Sequence, residues 1–297
     1  MFAASRSGLD QVTEPSRVWI RLLPALMVVV PVFVVAVALA LAQSLGLFPL
    51  VGDSRLSLDA YRNLFSGEEL WRSLAFTSYL SLGSTALALG LGVVIALAFR
   101  HLFSGSRFGA FMLQLNLPVP HLVGALAMVL LLGQSGLLAR VAGSVGLIDG
   151  PAAFPALIFD PGGLAIIAEY VWKEVPFFAL IALAALGSVA DDFESVAATL
   201  GAGRWRRFRH VTLPLLAPVL LPAAVVVFAF TFGTFEVPLL LGGSFPEAMP
   251  VLAYRKFTNV DLAARPEALA IGIVMLAIIT LAALIYLRLG RRFAGRQ

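Results

Sequence analysis

The sequence has no cysteine and very little charge. The absence of Cys among 297 residues excludes disulfides, thiolate metal sites and thiol catalysis. Only 13% of the residues are charged and 60% are hydrophobic, whereas about a quarter of a soluble domain is charged. The mean hydropathy is +0.94, so much of the surface must face lipid. We expect one all-α integral membrane domain.

Motifs for nucleotide and metal chemistry are also missing. The sequence contains no Gly-x-x-x-x-Gly-Lys-Ser/Thr phosphate loop, so ATP hydrolysis is not expected on this chain. His101, His121 and His210 lie far apart, with no carboxylate at the spacing of a metal site. We therefore predict no catalytic residue, no metal and no cofactor in this chain, and classify it as a non-enzyme.

Six apolar runs are long enough to cross a bilayer. They lie at Val18–Leu47, Leu74–Phe99, Phe108–Leu132, Gly163–Val189, Pro214–Leu241 and Ala268–Leu287. Prolines interrupt the third run and three charges lie in the fourth, while Gly133–Pro161 is open between a loop and a re-entrant segment. The predicted organisation is an N-terminal tail at 1–17, a membrane domain at 18–289 and a C-terminal tail at 290–297.

The basic residues predict the orientation. Thirteen of the 21 lie in the two tails and in the connections around 100–107 and 204–209, and seven lie in the opposite connections. Because cytoplasmic loops carry the excess of Lys and Arg, we expect a multi-pass membrane protein with both termini in the cytoplasm. The pI near 9.8 then reflects topology, and no nucleic-acid partner is expected.

The second run carries small residues at every fourth position. Ser84, Ala88, Gly92 and Ala96 would share one helix face and allow a second helix to approach closely.

The connection at 190–213 combines an apolar helix face with arginines. Residues 193, 196, 197 and 200 are apolar at i, i+3, i+4 and i+7, and Asp191 and Glu194 have the spacing of a capping box. Gly201 and Gly203 would end this helix. A second short helix would follow, carrying Trp205 and Phe208 among the arginines, with Thr212 capping the next span. A face this small must dock onto a protein or lie in the lipid headgroups, and the residues alone leave both open.

The same segment resembles the Glu-Ala-Ala loop of binding-protein-dependent ABC importer permeases. Gly201, Leu213 and Pro214 fall on the pattern's glycine and Leu-Pro, and Ala197 falls on its second alanine. Ser195 stands at the glutamate position, with Glu194 one residue earlier. The segments 59–65 (Asp-Ala-Tyr-Arg-Asn-Leu-Phe) and 172–177 (Trp-Lys-Glu-Val-Pro-Phe) resemble the same family.

The resemblance implies a type I ABC importer permease fold in a bacterial inner membrane, with a coupling helix in the loop. The partners it implies are two copies of an ABC ATPase that binds ATP and Mg, a second permease (a homologous companion or self), an extracytoplasmic solute-binding protein and membrane lipid. The expected ATPase-coupling residues are Phe193, Glu194, Val196, Ala197, Leu200, Gly201, Arg204, Arg207, Leu213 and Pro214.

Polar residues inside the runs are candidates for a solute pathway, because buried ionisable groups in membranes usually face the protein interior or a cavity. Glu169 and Lys173 are at i, i+4 and are expected to pair as a structural ion pair. Gly233 and Pro238 weaken the helix around Glu236, which would contact solute or cap a loop. The candidates are Asn116, His121, Lys173, Glu174, Thr231, Phe235 and Glu236.

The substrate expectation comes from resemblance alone. Residues 235–243 and 249–257 resemble the permease branch that handles polyamines, thiamine and ferric iron, with a sugar as the alternative. An ion-gradient-driven secondary transporter is the alternative class, although the sequence shows no internal repeat. A membrane enzyme is a third class, and the missing catalytic constellation disfavours it.

Overall fold

A computed structural model describes residues 15–48, 54–102, 107–186 and 188–294. This part of the chain is helical and contains no strand. Its α-helices are α1 (Pro15–Ser44), α2 (Asp59–Ser66), α3 (Glu68–Leu102), α4 (Arg107–Gln114), α5 (His121–Leu132), α6 (Leu137–Ser144), α7 (Leu164–Ala185), α8 (Ser188–Thr199), α9 (Arg204–Arg207), α10 (Leu213–Gly233), α11 (Glu236–Leu241), α12 (Met249–Phe257) and α13 (Arg265–Ala294). Short 3-10 turns lie at Pro151–Ala153 and Leu262–Ala264, and a π turn at Phe208–Thr212.

The predicted all-helical architecture is confirmed. Five helical stretches of the described chain are long and apolar enough to span a membrane: Arg21–Ser44, Glu68–Arg100, His121–Ser144, Arg204–Gly233 and Leu262–Arg288. The predicted fourth span corresponds to α7, which has the length of a span but carries three charged residues.

Helices α3, α7 and α10 form the centre of the bundle. Their buried apolar side chains make one continuous core, which includes Val93, Phe178, Leu216 and Val227. A second core joins α2, α10, α12 and α13 around Phe232 and Ile271. Helix α1 packs along α13 and reaches α2 through a 2.8 Å hydrogen bond between the hydroxyls of Ser44 and Tyr61. Most of its apolar side chains remain exposed.

The small residues of α3 do form a helix-packing face, as predicted. Ser84, Ala88 and Ala96 are buried, and Gly92 lies directly against α7. A Cβ atom on Gly92 would come within 2.6 Å of the Phe178 Cβ. The absence of a side chain at Gly92 is therefore what allows the two helices to approach this closely.

The third predicted span is broken in the middle. Helix α4 ends at Gln114 and α5 begins at His121, because Pro118 and Pro120 lack the N–H groups that a continuous helix requires. The region Gly133–Pro161, left open from the sequence, contains α6 and a 3-10 turn rather than loop alone.

The fifth predicted span is also broken, near its far end. Helix α10 ends at Gly233 and α11 begins at Glu236. Pro238 lies in the first turn of α11, where a missing N–H is tolerated. The predicted weakness around Glu236 is confirmed.

The two ends of the bundle differ in composition. We call the end that contains Arg100, Glu194 and Thr212 the basic end, and the end that contains Glu69, Arg255 and Glu267 the far end. At the basic end the chain leaves α8 through Gly201, whose φ of +81° is left-handed, so glycine is favoured there.

Candidate coupling surface and intramembrane polar site

Helix α8 presents an exposed apolar face at the basic end. Phe193, Val196 and Leu200 are 55%, 58% and 82% exposed, respectively, and Ala197 is half-buried beneath them. Three of the four residues of the predicted i, i+3, i+4, i+7 face are therefore exposed, and nothing in the described chain covers them. A cluster of large apolar side chains in this position is typical of a surface that binds another protein.

Basic and aromatic side chains continue this surface through α9. Arg204, Trp205 and Arg206 are exposed, and the Trp205 ring lies 5.6 Å from that of Phe208. Leu213 and Pro214 follow in the first turn of α10, both exposed. The residues predicted to couple thus lie on one continuous segment at the basic end.

Glu194 does not belong to this exposed face. Its Oε1 accepts hydrogen bonds from Thr212 Oγ1 at 2.6 Å and from Arg100 Nη1 at 3.1 Å. The predicted capping box is wrong, because α8 begins at Ser188, upstream of Asp191. Thr212 is likewise no side-chain cap, since its backbone is already helical and its hydroxyl is bound to Glu194.

A second polar site lies between α5 and α7. The His121 Nδ1 lies 3.2 Å from Glu169 Oε1, and His121 Nε2 lies 3.5 Å from Glu174 Oε1. Glu169 is fully buried, and the His121 ring also packs 4.7 Å from the Phe230 ring of α10. One imidazole therefore stands between two carboxylates.

The sequence missed this grouping because His121 and the two glutamates are about 50 residues apart in the chain. The carboxylates reach His121 from a neighbouring helix. Spacing along the sequence indicates only groups that are close to His121 in the chain. Within the described residues, no group of three or more His, Asp or Glu side chains has the geometry to hold a metal ion.

Lys173 joins α7 to the break between α4 and α5. Its Nζ donates to the carbonyls of Asn116 at 2.6 Å and Leu117 at 3.0 Å, and Asn116 Nδ2 donates to Trp172 O at 2.7 Å. In a continuous helix Asn116 O would accept from residue 120, which is a proline. Asn116 O accepts instead from Val119 N at 3.2 Å, and Lys173 adds a second donor to it and a donor to Leu117 O.

The predicted Glu169–Lys173 ion pair is therefore wrong. The i, i+4 spacing allowed it, but Lys173 binds the carbonyls at the helix break and Glu169 faces His121. A pairing rule for one helix cannot account for acceptors that a neighbouring helix supplies.

Three predicted pathway residues lie where α10 passes into α11. Thr231 is buried and its hydroxyl donates back to Val227 O at 2.9 Å, so it is satisfied within its own helix. Phe235 stacks on Tyr254 of α12 at 5.5 Å. Glu236 begins α11 and is half-buried.

Tyr170 connects Glu236 with the polar site on α7. The ring of this buried residue lies 6.4 Å from the His121 ring, and its hydroxyl donates to Thr231 O at 3.4 Å. Helix α11, which Glu236 begins, packs against α5 and α7, so His121, Glu174 and Glu236 lie on neighbouring helices around Tyr170, while Phe235 stacks on α12.

An ion network at the far end was not predicted from the sequence. Arg255 contacts Glu69 and Glu247, and Lys256 contacts Glu69 at 3.4 Å and Glu267 at 2.9 Å. Burial acts to lower the pKa of Lys256, but the nearby Glu267 and Glu69 outweigh it and raise the pKa above its usual value. The network fastens α12 to α3 and α13.

This arrangement, with broken helices around a polar site and an exposed apolar face at one end, defines a polytopic membrane protein of the transporter class. The chain belongs to the family of binding-protein-dependent transport system inner membrane components, whose model matches residues 88–295. It is thus a permease subunit of ABC importers, as the resemblance implied.

Named relatives transport different solutes. The trehalose/maltose transport system permease protein MalF of Thermococcus litoralis is 27% identical over 238 residues, which cover 80% of each chain. The thiamine transport system permease protein ThiP of Escherichia coli is 28% identical over 184 residues, 61% of this chain and 33% of that protein.

Solved structures share the fold. A chain of the bacterial alginate ABC transporter, crystallised in complex with an alginate pentasaccharide-bound periplasmic protein, matches with a TM-score of 0.73 at 20% identity, covering 93% of this chain and 94% of that one. A chain of the inward-facing MetNI methionine ABC transporter matches with a TM-score of 0.53 at 16% identity, covering 80% and 99%.

Proposed function

We propose that this permease forms half of a translocation pathway for a small solute, which an external binding protein delivers and a separate ATPase drives. The observation that carries the ATPase role is the exposed apolar face of α8, built from Phe193, Val196 and Leu200. In water this face is unfavourable by roughly 25 cal/mol for each Å² of apolar surface. A cleft in an ATPase subunit would remove it from water.

The arginines around α9 fit the same partner. Arg204 and Arg206 are exposed beside Trp205, and Trp and Arg are the residue types most enriched at interface hot spots. The ATP and Mg would bind to the ATPase. A second permease, either another copy or a homologous companion, would complete the pathway.

Co-purification tests the ATPase role. Replacing Phe193, Val196 and Leu200 by Ser should leave the protein in the membrane but reduce co-purification of the ATPase roughly tenfold or more, since each anchor lost costs about 1–2 kcal/mol. The matched control replaces Leu56, Phe245 and Val260, which are exposed apolar residues away from α8, and should retain the ATPase. Equal retention by both triple variants would contradict the coupling role.

For the solute, we propose a cation that passes near Glu236. Lys173 is engaged with backbone carbonyls, and Glu169 and Glu174 share a single imidazole. Within the described chain Glu236 has no ion-pair partner, and the region around Tyr170 therefore carries more carboxylates than available cations. A thiamine-like or polyamine-like solute fits this charge, whereas a neutral sugar, as carried by the trehalose/maltose relative, gains nothing from it.

Uptake by the complete importer in proteoliposomes tests the solute class. Radiolabelled thiamine serves as the cationic probe and radiolabelled maltose as the neutral one. Glu236→Gln should lower uptake of the cationic probe roughly tenfold, the effect of losing about 1.4 kcal/mol, while Glu68→Gln, on the exposed pair with Arg72, should not. If the importer takes up maltose but not thiamine, and Glu236→Gln leaves that uptake unchanged, the solute is a neutral sugar and the proposed cation is wrong.

A further inference from the structure

Glu194 lies at a junction of three segments at the basic end. Arg100 comes from the last turn of α3, Glu194 from the middle of α8, and Thr212 from the π turn that leads into α10. Both contacts converge on the same carboxylate oxygen, at 3.1 Å from Arg100 Nη1 and 2.6 Å from Thr212 Oγ1. One side chain of α8 therefore holds the ends of two core helices.

The junction is shielded from water. The side chains of Arg100 and Glu194 are only 10% and 17% exposed, and Thr212 is buried. An ion pair at an exposed position contributes little to stability, whereas removing one partner of a shielded pair leaves a charge without compensation. Such shielded contacts can therefore fix the position of α8 relative to α3 and α10.

Apolar packing beneath the loop is incomplete. A cavity of about 510 Å³ lies between the loop and α3, lined by Leu97, Glu194, Arg204, Arg207, Phe208 and Thr212. Glu194 and Thr212 both line this cavity, so the hydrogen bond between them lies at its edge.

The two sides of α8 have different surroundings. Phe193 and Val196 face outward and are exposed, whereas Glu194 faces the bundle. Ser195, at the glutamate position of the family pattern, is on the exposed side. The shift of the acidic residue by one position thus moves it from the outer side of α8 to the inner side.

We infer that Glu194 is a positioning residue that latches α8 to α3 and α10, so that motion of α8 is transmitted to the core helices. This inference rests on the proposed coupling function. In this chain Glu194 acts within the permease, and the contact with the ATPase is left to the exposed face of α8.

Spin-label distances test the latch directly, since the chain has no native cysteine to remove. Labels at Ala198→Cys on α8 and Val94→Cys on α3, both exposed positions, report the separation of the two helices. With Glu194 intact we expect one narrow distance distribution, retained when the ATPase-bound complex is trapped with ATP and orthovanadate. Glu194→Gln should lose the narrow distribution while the ATPase still co-purifies.

A charge reversal separates positioning from general destabilisation. Arg100→Glu and Glu194→Arg should each broaden the distribution, and the double variant should restore it. Thr212→Val removes one hydrogen bond and should broaden the distance distribution less. This variant keeps the test available if the charge variants fold poorly. An unchanged distribution in Glu194→Gln and Thr212→Val would overturn the latch.

The outcomes distinguish this inference from the proposed function. If the ATPase fails to bind the wild-type permease, the coupling function is wrong, although the label distances in the permease alone still report the latch. If the ATPase binds Glu194→Gln far less than wild type, Glu194 is an ATPase contact and the latch is wrong.

Discussion

Gly92 is the residue at which α3 and α7 come closest. Its missing side chain faces the Phe178 Cβ at 2.6 Å, the Ala179 N at 3.0 Å and the Val175 O at 3.1 Å, taken from an ideal Cβ position. Two of these three atoms are backbone and cannot move without shifting the whole of α7. The close contact at Gly92 is therefore a rigid constraint on the centre of the bundle.

Gly92→Ala should destabilise the permease by about 1–3 kcal/mol, the usual cost of forcing extra atoms into a packed core. The melting temperature in detergent measures the effect. Gly90→Ala is the matched control, because Gly90 lies on the same helix with nothing within 4 Å of its Cβ position. Equal melting temperatures for the two variants would show that α3 and α7 are not held at this distance.

Residue spacing alone predicted the small-residue face of α3 and the apolar face of α8. It did not predict the contacts of Glu194, Lys173 or His121. Each of these side chains binds a group from a segment between 18 and 94 residues away, and a local pattern carries no information about such a partner.

Among the elements, the broken α4–α5 helix depends most on a contact from elsewhere. Pro118 and Pro120 predict that the helix breaks, and it does. The sequence does not show how the carbonyls freed by the break are satisfied inside a bundle, where an unpaired polar group is costly. Lys173 of α7 donates hydrogen bonds to Asn116 O and Leu117 O.

Lys173→Met should therefore loosen the break rather than unfold the bundle. Lys173 donates to the carbonyls of Asn116 and Leu117, and Asn116 O would keep only the donor Val119 N. A lost hydrogen bond to a charged group costs about 1.5–3 kcal/mol, and we expect the amides of Leu115, Leu117 and Val119 to exchange hydrogen faster. Mass-spectrometric hydrogen exchange measures this. The control is Lys256→Met, which removes the other lysine of the chain from the far-end network and should leave these amides unchanged. Unaltered exchange in Lys173→Met would mean that the prolines alone hold the segment.

In the whole molecule, the charge pattern and the fold both distinguish the basic end from the far end. The basic end carries the exposed apolar face of α8, and the far end carries the ion network of Arg255 and Lys256 with Glu69, Glu247 and Glu267. The positive-inside rule assigns the basic end to the cytoplasm, which is where an ATPase would find ATP. On this assignment we expect the far end, where α12 is fastened to α3 and α13, to lie on the opposite side of the membrane.

Cysteine labelling in intact cells checks this orientation, because no native thiol competes. Ala198→Cys on α8 and Ser244→Cys at the far end both lie at exposed positions. A membrane-impermeant maleimide should label Ser244→Cys in cells with a permeable outer layer, and should reach Ala198→Cys only after the inner membrane is opened. The two variants control each other, since each becomes reactive in opened membranes. Labelling of Ala198→Cys from outside would place the coupling surface away from ATP, and both the orientation and the coupling function would then be wrong.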